Sequence, residues 1–260
     1  MKRFTDKVVL ITGAAKGLGK ETARLFAEEG ARISISDIDY KGIAKLEEEF
    51  ITSNYDVLGQ KADISKLIDI ETMVSETVKK FGQIDILINN AAVPFQKPMM
   101  EINWEDWDLV LNVNIKGTFH VLKAAASEMI KRGEGGNIIN ISSLAGSGGR
   151  PLYIPYAASK AAVMNITQSA ARELAKYNIR VNSISPGNIE SQMLIDCAKN
   201  VAKIEKKELE DILNIWRDRI PLKHMAKPEE IAKTVLMVCS EDASYITGQI
   251  INACGGLSIP

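Results

Sequence analysis

The feature that most constrains this chain is a rhythm. Short, β-branched apolar runs alternate with longer segments of helical spacing along almost its whole length. Residues 7–12 (KVVLIT), 32–37 (RISISD), 57–63, 84–89 (IDILIN), 137–142 (NIINIS), 179–185 and 249–253 are predicted strands. Residues 17–29, 42–52, 67–81, 104–131, 156–177 and 228–239 are predicted helices between them. The run 84–89 has almost no polar alternation, which suits a parallel strand covered on both faces. Strand and helix in alternation build an α/β fold with a parallel sheet and helices on both faces. Right-handed crossovers make that sheet, of about seven strands, doubly wound. Its ligand crevice is then expected outside the carboxyl ends of the strands.

A length of 260 residues suits one domain over 1–260, with no linker or internal repeat to divide it. Net charge is −1, so neither nucleic acid nor an anionic membrane is expected as partner. No apolar stretch is long enough to span a bilayer, and residues 1–6 are polar, without the apolar core of a signal peptide. A cytoplasmic location is the expectation. Cys197, Cys239 and Cys254 are odd in number and widely spaced, which reads as free thiols. With only His120 and His224, neither a histidine metal site nor a Ser-His-Asp triad is expected, and no metal is assigned. One segment, 190–227, breaks the rhythm while carrying helical spacing of its own. It reads as a lid or substrate-binding excursion, or else as a packed helical hairpin.

After the first strand comes Thr12-Gly13-Ala14-Ala15-Lys16-Gly17-Leu18-Gly19, opening a helix. Glycines there let backbone N–H groups approach a pyrophosphate, and the helix N-terminus adds partial positive charge. A triphosphate P-loop does not fit, because Ala14 takes the first glycine position and Glu21 replaces the magnesium-binding hydroxyl. Asp37 ends the second strand, where a carboxylate accepts from an adenosine ribose and repels a 2′-phosphate. That favours NAD over NADP, although Lys16 pulls the other way.

Tyr156 and Lys160 stand at i and i+4, on one face of a predicted helix. A phenol with a pKa of about 10 must drop by about three units, roughly 4 kcal/mol, to act as a base near neutrality. A cation about 4 Å away supplies interaction of that order. Ser143 lies thirteen residues before Tyr156, Asn89-Asn90-Ala91-Ala92 ends the fourth strand, Asn114 lies in the long helix, and Pro186-Gly187 ends the sixth strand. Taken together and in this order, these residues resemble the short-chain dehydrogenase/reductase family, in its branch of single-domain chains.

The resemblance implies a Rossmann-type fold and a tetrad of Asn114, Ser143, Tyr156 and Lys160. Tyr156 is the implied general acid/base. Ser143 polarises the substrate oxygen. Lys160 lowers the Tyr156 pKa and holds the nicotinamide ribose, and Asn114 holds a water that links Lys160 to solvent. Ser142 and Tyr153 compete with Ser143 and Tyr156; the family interval and the missing lysine partner disfavour them. The implied cofactor contacts are Gly13, Lys16, Gly17, Leu18, Gly19, Asp37, Ile38, Asp63, Ile64, Asn90, Ala91, Ala92, Tyr156, Lys160, Pro186, Gly187, Ile189 and Ser191. Ala92 departs from the usual glycine, Ser191 from threonine, and Cys254 from an aspartate, which puts a structural hydrogen bond near the C-terminus in doubt. The family also implies a homotetramer built on the helices 104–131 and 156–177 and the strand 249–253.

The expected substrate wall is Ser143, Leu144, Ala145, Arg150, Tyr153, Tyr156, Asn188, Met193 and Trp216, a mixture neither plainly apolar nor plainly anionic. A small secondary alcohol, sugar or polyol is the expected substrate, with a 3-oxoacyl reductase or steroid dehydrogenase as the alternative. A non-catalytic dinucleotide-binding regulator is the alternative of another class; a complete tetrad speaks against it.

Overall fold

The structure is a computed structural model that describes residues 2–258. Met1, Ile259 and Pro260, the ends of the domain expected over 1–260, lie outside the described residues. Seven parallel strands form one sheet: β1 Val8–Thr12, β2 Arg32–Asp37, β3 Val57–Lys61, β4 Ile86–Asn89, β5 Gly136–Ile141, β6 Ile179–Pro186 and β7 Ile250–Ala253. Their order is β3-β2-β1-β4-β5-β6-β7. The chain winds outward from β1 to β3, returns to the other side of β1 at β4, and winds out again. The Rossmann-type, doubly wound arrangement is therefore present, with its switch point between β1 and β4.

The strands divide the core by alternation. Val9 and Ile11 face a layer made by α1 (Gly17–Glu28), α2 (Tyr40–Thr52) and α9 (Pro228–Cys239), with Phe26, Leu46 and Val235 buried in it. Leu10, Leu87, Ile138 and Val181 face the opposite layer of α3 (Leu67–Phe81), α5 (Thr118–Arg132) and α6 (Ile154–Leu174), with Met73, Val121 and Met129. Both faces are covered, so β1 is buried at every position.

Several boundaries move for identifiable reasons. β4 starts later than expected because the Asp85 carboxylate leaves the strand to accept from the Val8 N–H and from Arg132, each at 2.7 Å. α6 starts earlier, with Pro155 in its first turn, where a missing N–H costs nothing. The helix expected over 104–131 is not uniform. It runs as α4 (Trp104–Leu111), a π-helical turn over Asn112–Gly117, then α5. Gly117 packs there so closely on Ile64 that a Cβ would lie 2.7 Å from the Ile64 carbonyl oxygen. Single π turns inside α-helices recur at functional sites.

The segment 190–227 forms two helices, α7 (Gln192–Glu205) and α8 (Leu209–Asp218). They bury a small cluster of their own, Ala198, Val201, Ala202 and Ile212, against which Leu152, Leu209, Leu213 and Trp216 pack. No helix among the described residues is long and apolar enough to cross a membrane.

Candidate active site

The glycine turn sits between β1 and α1 at the carboxyl edge of the sheet. Gly13 and Gly17 have φ of +66° and +59°, a region that favours glycine. A Cβ on Gly13 would strike the Ala91 backbone at 2.7 Å, and one on Gly19 the Gly13 carbonyl at 2.3 Å. A Cβ on Gly17, by contrast, would meet only Ser191 Cβ, at 4.0 Å. The turn is thus packed tightly from behind and open toward α7. α1 has no side-chain N-cap and no acidic residue in its first turn, so its leading N–H groups face that opening free of side-chain acceptors. This fits the pyrophosphate of a dinucleotide. Lys16 precedes the helix, exposed, and Leu18 is buried beneath it.

Asn90 binds the turn to β4. Its Nδ2 donates to the carbonyls of Thr12 (3.0 Å) and Gly13 (2.8 Å). The N–H groups of Asn90 and Ala91 both donate to Thr12 Oγ1, each at 3.1 Å. Thr12 is a site-building residue that sequence reasoning passed over, though it stands inside the motif. Asp37 accepts from the Ala15 N–H (3.1 Å) and the Asp39 N–H (3.0 Å). A carboxylate offers about four acceptor positions, so it organises the turn and keeps capacity for a ribose. Ile38 next to it is 63% exposed. Asp63 is held by Ser65 through its N–H (3.0 Å) and hydroxyl (2.7 Å), and Ile64 is buried against Gly117. Ala92 is half-buried after Ala91. Pro186 ends β6, and Gly187 packs on Cys254, whose Sγ lies 3.7 Å from the Ser258 carbonyl. Ser191 caps α7 by accepting from the Leu194 N–H at 3.2 Å, with Ile189 half-buried before it.

The four tetrad candidates are each held by bonds to neighbouring groups rather than to one another. Lys160 is 4% exposed, and its Nζ donates to the Ile141 carbonyl at 2.8 Å. Its Nζ lies 5.7 Å from the Tyr156 ring centroid. Ser143 Oγ accepts from the Ala145 N–H at 3.2 Å and lies close enough to the Tyr156 phenol to lower its pKa. Ser142, the competing serine, is committed elsewhere: its hydroxyl donates to the Ile184 carbonyl (3.1 Å) and accepts from Ser183 (2.7 Å). Asn114 is fully buried. Its Oδ1 accepts from the Val93 N–H (2.8 Å), while its Nδ2 donates to the Val93 carbonyl (3.0 Å) and to Ser159 Oγ (3.1 Å). Both amide protons are thereby committed, so this side chain locks the π turn to the β4 loop and to α6. Ser159 was invisible from sequence, being only a small residue between Tyr156 and Lys160.

Burial dominates the electrostatics of the Tyr156–Lys160 pair. Burial pushes the Tyr156 phenol up to about 12, more than the Ser143 hydroxyl lowers it. Burial likewise brings the Lys160 ammonium down to about 8. The lysine does not offset the phenol's desolvation here, because it is itself desolvated and turned to a backbone carbonyl. The protein therefore presents a protonated phenol at neutral pH.

The expected substrate residues are not all gathered. Tyr153 sits beside Tyr156, rings 6.3 Å apart, and Leu144 and Ala145 are buried behind Ser143. Arg150 is exposed and Met193 is 41% exposed. Trp216 packs into the α7–α8 cluster. Asn188 lines a separate cavity of about 490 Å³ with Ile220, Leu222 and Cys254. Sequence reading missed Gln96, whose Nε2 donates to Cys197 Sγ at 3.0 Å.

A family model described as enoyl-(acyl carrier protein) reductase matches residues 13–258. A 3-oxoacyl-[acyl-carrier-protein] reductase of Thermotoga maritima is 41% identical over 257 residues, 99% of this chain and 100% of that one. Xylitol dehydrogenase bound to NAD+ superposes with a TM-score of 0.94 at 32% identity, covering 98% of this chain and 100% of the other. A variant of actinorhodin polyketide ketoreductase with NADPH superposes with a TM-score of 0.93 at 32% identity, covering 96% and 97%.

Proposed function

We propose the following division of labour for this chain, which belongs to the short-chain dehydrogenase/reductase family and is an oxidoreductase of alcohol and carbonyl groups. Tyr156 gives a proton to the substrate oxygen in reduction and takes it in oxidation. Ser143 accepts from Ala145, so its own proton is directed at that oxygen and polarises it. Lys160 uses one proton on Ile141 and keeps two for a ribose hydroxyl and a water. Asn114 acts by position, holding the π turn to Ser159, next to Lys160. A nicotinamide dinucleotide, when bound, supplies the hydride exchange. The glycine turn, Asp37, Asn90 and Ser191 are the residues that hold it. The observation that carries this reading is Tyr156 beside Ser143, with Lys160 buried on the same helix at the carboxyl edge of the sheet.

The substrate is a small secondary alcohol, sugar or polyol, supported by the fit to xylitol dehydrogenase and by the hydroxyl groups of Ser143 and Tyr153 beside Tyr156. The cofactor is NAD rather than NADP. One solved relative binds NAD+ and another NADPH, so the weight falls on the Asp37 carboxylate. The Thermotoga relative favours a second reading, reduction of a 3-oxoacyl thioester. A panel of polyols, small ketones and acyl thioesters, each with NAD(H) and NADP(H), decides among these. Faster turnover of thioesters selects the second reading, and equal rates with NADPH overturn the role of Asp37.

Three further expectations belong here. The segment 190–227 is a substrate-binding lid, supported by its separate cluster. The protein is cytoplasmic, supported by three free cysteines. It is a homotetramer, supported by apolar side chains left exposed on the expected helices, Trp104 at 77% and Leu109 at 54%, and by the open edge of β7. Light scattering showing a monomer at micromolar concentration contradicts the last.

A further inference from the structure

We infer that Gln96, in the loop after β4, reads a substrate hydroxyl next to the reacting carbon; this narrows the polyol reading above and rests on it. The Gln96 side chain makes one hydrogen bond among the described residues, from Nε2 to the Cys197 thiol at 3.0 Å. Sulfur is a weak acceptor, and the carboxamide Oε1 accepts nothing among the described residues. A half-buried amide held this loosely exchanges its partner for a ligand at little cost.

Its backbone, in contrast, is fixed. The Gln96 carbonyl accepts from Asn200 Nδ2 at 2.9 Å, and the Lys97 N–H donates to the Leu152 carbonyl at 2.8 Å. Lys97 Nζ is anchored on Asp106 of α4 at 2.8 Å. A fixed backbone that projects a weakly engaged amide is preorganised for recognition.

The amide also faces the right place. Cys197 and Asn200 are three residues apart on α7 and share a face. The helix begins at Ser191, across the gap from Gly17. It therefore runs from the cofactor turn to Gln96, a span of about 13 Å at the α-helical rise. Lys97, the next residue, is bonded to Leu152, which precedes Tyr153, and the Tyr153 ring lies 6.3 Å from that of Tyr156. Gln96 is thus held at the wall beside the proton donor.

The chemistry of the amide selects the ligand. Nε2 needs an acceptor and Oε1 needs a donor. A hydroxyl is both, so a vicinal diol or polyol satisfies the whole carboxamide. The carbonyl of a 3-oxoacyl thioester satisfies only Nε2 and leaves Oε1 without a partner.

The test compares wild type, Gln96→Leu and Gln96→Glu on 2,3-butanediol and 2-butanol with NAD+. The two alcohols differ only in the neighbouring hydroxyl. Gln96→Leu is expected to lower kcat/KM for the diol by about 30-fold and to leave 2-butanol within about twofold. Gln96→Glu keeps the side-chain volume and still accepts a hydroxyl proton, so it retains most of the diol rate. An equal change on both alcohols, or none on either, overturns the inference and leaves the reaction assignment standing. Loss of the diol rate in Gln96→Glu at an unchanged melting temperature overturns it too. A wild type that binds NADH yet oxidises neither alcohol overturns the polyol reading on which the inference rests.

Discussion

Asn114 and Trp216 belong to two regions that are held in opposite ways. Asn114 is fully buried and ties three elements together through three hydrogen bonds. The surrounding bonds of Asn90, Ser142 and Lys160 continue that network into the sheet. Trp216 is half-buried in a cluster of four buried side chains that belongs to α7 and α8, reinforced by Leu152. The excursion meets the rest of the fold through a few polar ties, such as Asn200 to the Gln96 carbonyl and the short bridge Ile189–Ala226. A low-dielectric network fixes geometry because each buried partner left single is costly. A separate apolar cap can be repacked without disturbing it. Under the proposed function, proton transfer belongs to the sheet edge and substrate choice to the cap.

The comparison breaks most visibly at Tyr156. Tyr156→Phe keeps the ring and the burial while removing the proton, so kcat is expected to fall about 10³- to 10⁴-fold with NADH binding retained by fluorescence titration. If both proteins bind NADH and neither turns over a broad panel, a non-catalytic regulator replaces the enzyme reading. The pH profile sharpens the point. A phenol pushed up to about 12 is protonated at neutral pH. Reduction needs that protonated form, so its rate should stay flat from about pH 6 to 8. Oxidation needs the phenolate, so its hydride step should rise about tenfold per pH unit over the same range. A slope of zero for oxidation removes Tyr156 as the base.

Asn114→Leu tests the network next. It leaves the Val93 N–H and carbonyl without their partner inside the fold, while the Ser159 hydroxyl keeps its bond to the Tyr156 carbonyl. Two or more unsatisfied buried groups cost about 2–4 kcal/mol, read as a lower denaturation midpoint. Because the π turn is bonded to Ser159, next to Lys160, kcat should fall by about 30-fold or more, in the range of a mispositioned catalytic group. Asn114→Asp keeps the acceptor and part of the geometry, and should recover part of both losses.

The same contrast explains what was legible in the sequence. The sheet could be read because each strand is short, apolar and buried on both faces, as β1 is at every position. Tyr156 and Lys160 could be placed on one helix face by spacing alone, whereas Ser143 was preferred to its neighbour Ser142 through the family resemblance. The π turn could not: it depends on Gly117 meeting Ile64, a contact across the fold, although the run Asn112-Val113-Asn114 is a weak helix former. Gln96 could not either, since Cys197 lies 101 residues away. The sign of the Tyr156 shift depends on how deeply the pair is buried, which spacing does not disclose.

At the cofactor turn the effect should be smaller. Asp37→Ser removes the charge that repels a 2′-phosphate and weakens the bonds to Ala15 and Asp39. The NAD-to-NADP preference, measured as a ratio of kcat/KM, should fall about 10-fold, equivalent to about 1.4 kcal/mol. An unchanged ratio shifts the discrimination to exposed Lys16.

The smallest expected effect on chemistry is in the cap. Trp216→Ala empties part of the α7–α8 cluster. The cost should be about 2 kcal/mol, below that of a fully buried tryptophan because Trp216 is only half-buried. If the excursion opens as its own unit, the loss appears as faster amide exchange confined to residues 192–218, while the amides of β1 and β5 keep their protection. kcat for a small alcohol should then change by no more than about threefold, and KM should carry most of the effect. Equal loss of protection in the sheet would show one cooperative unit, and the lid reading of 190–227 would fall with it.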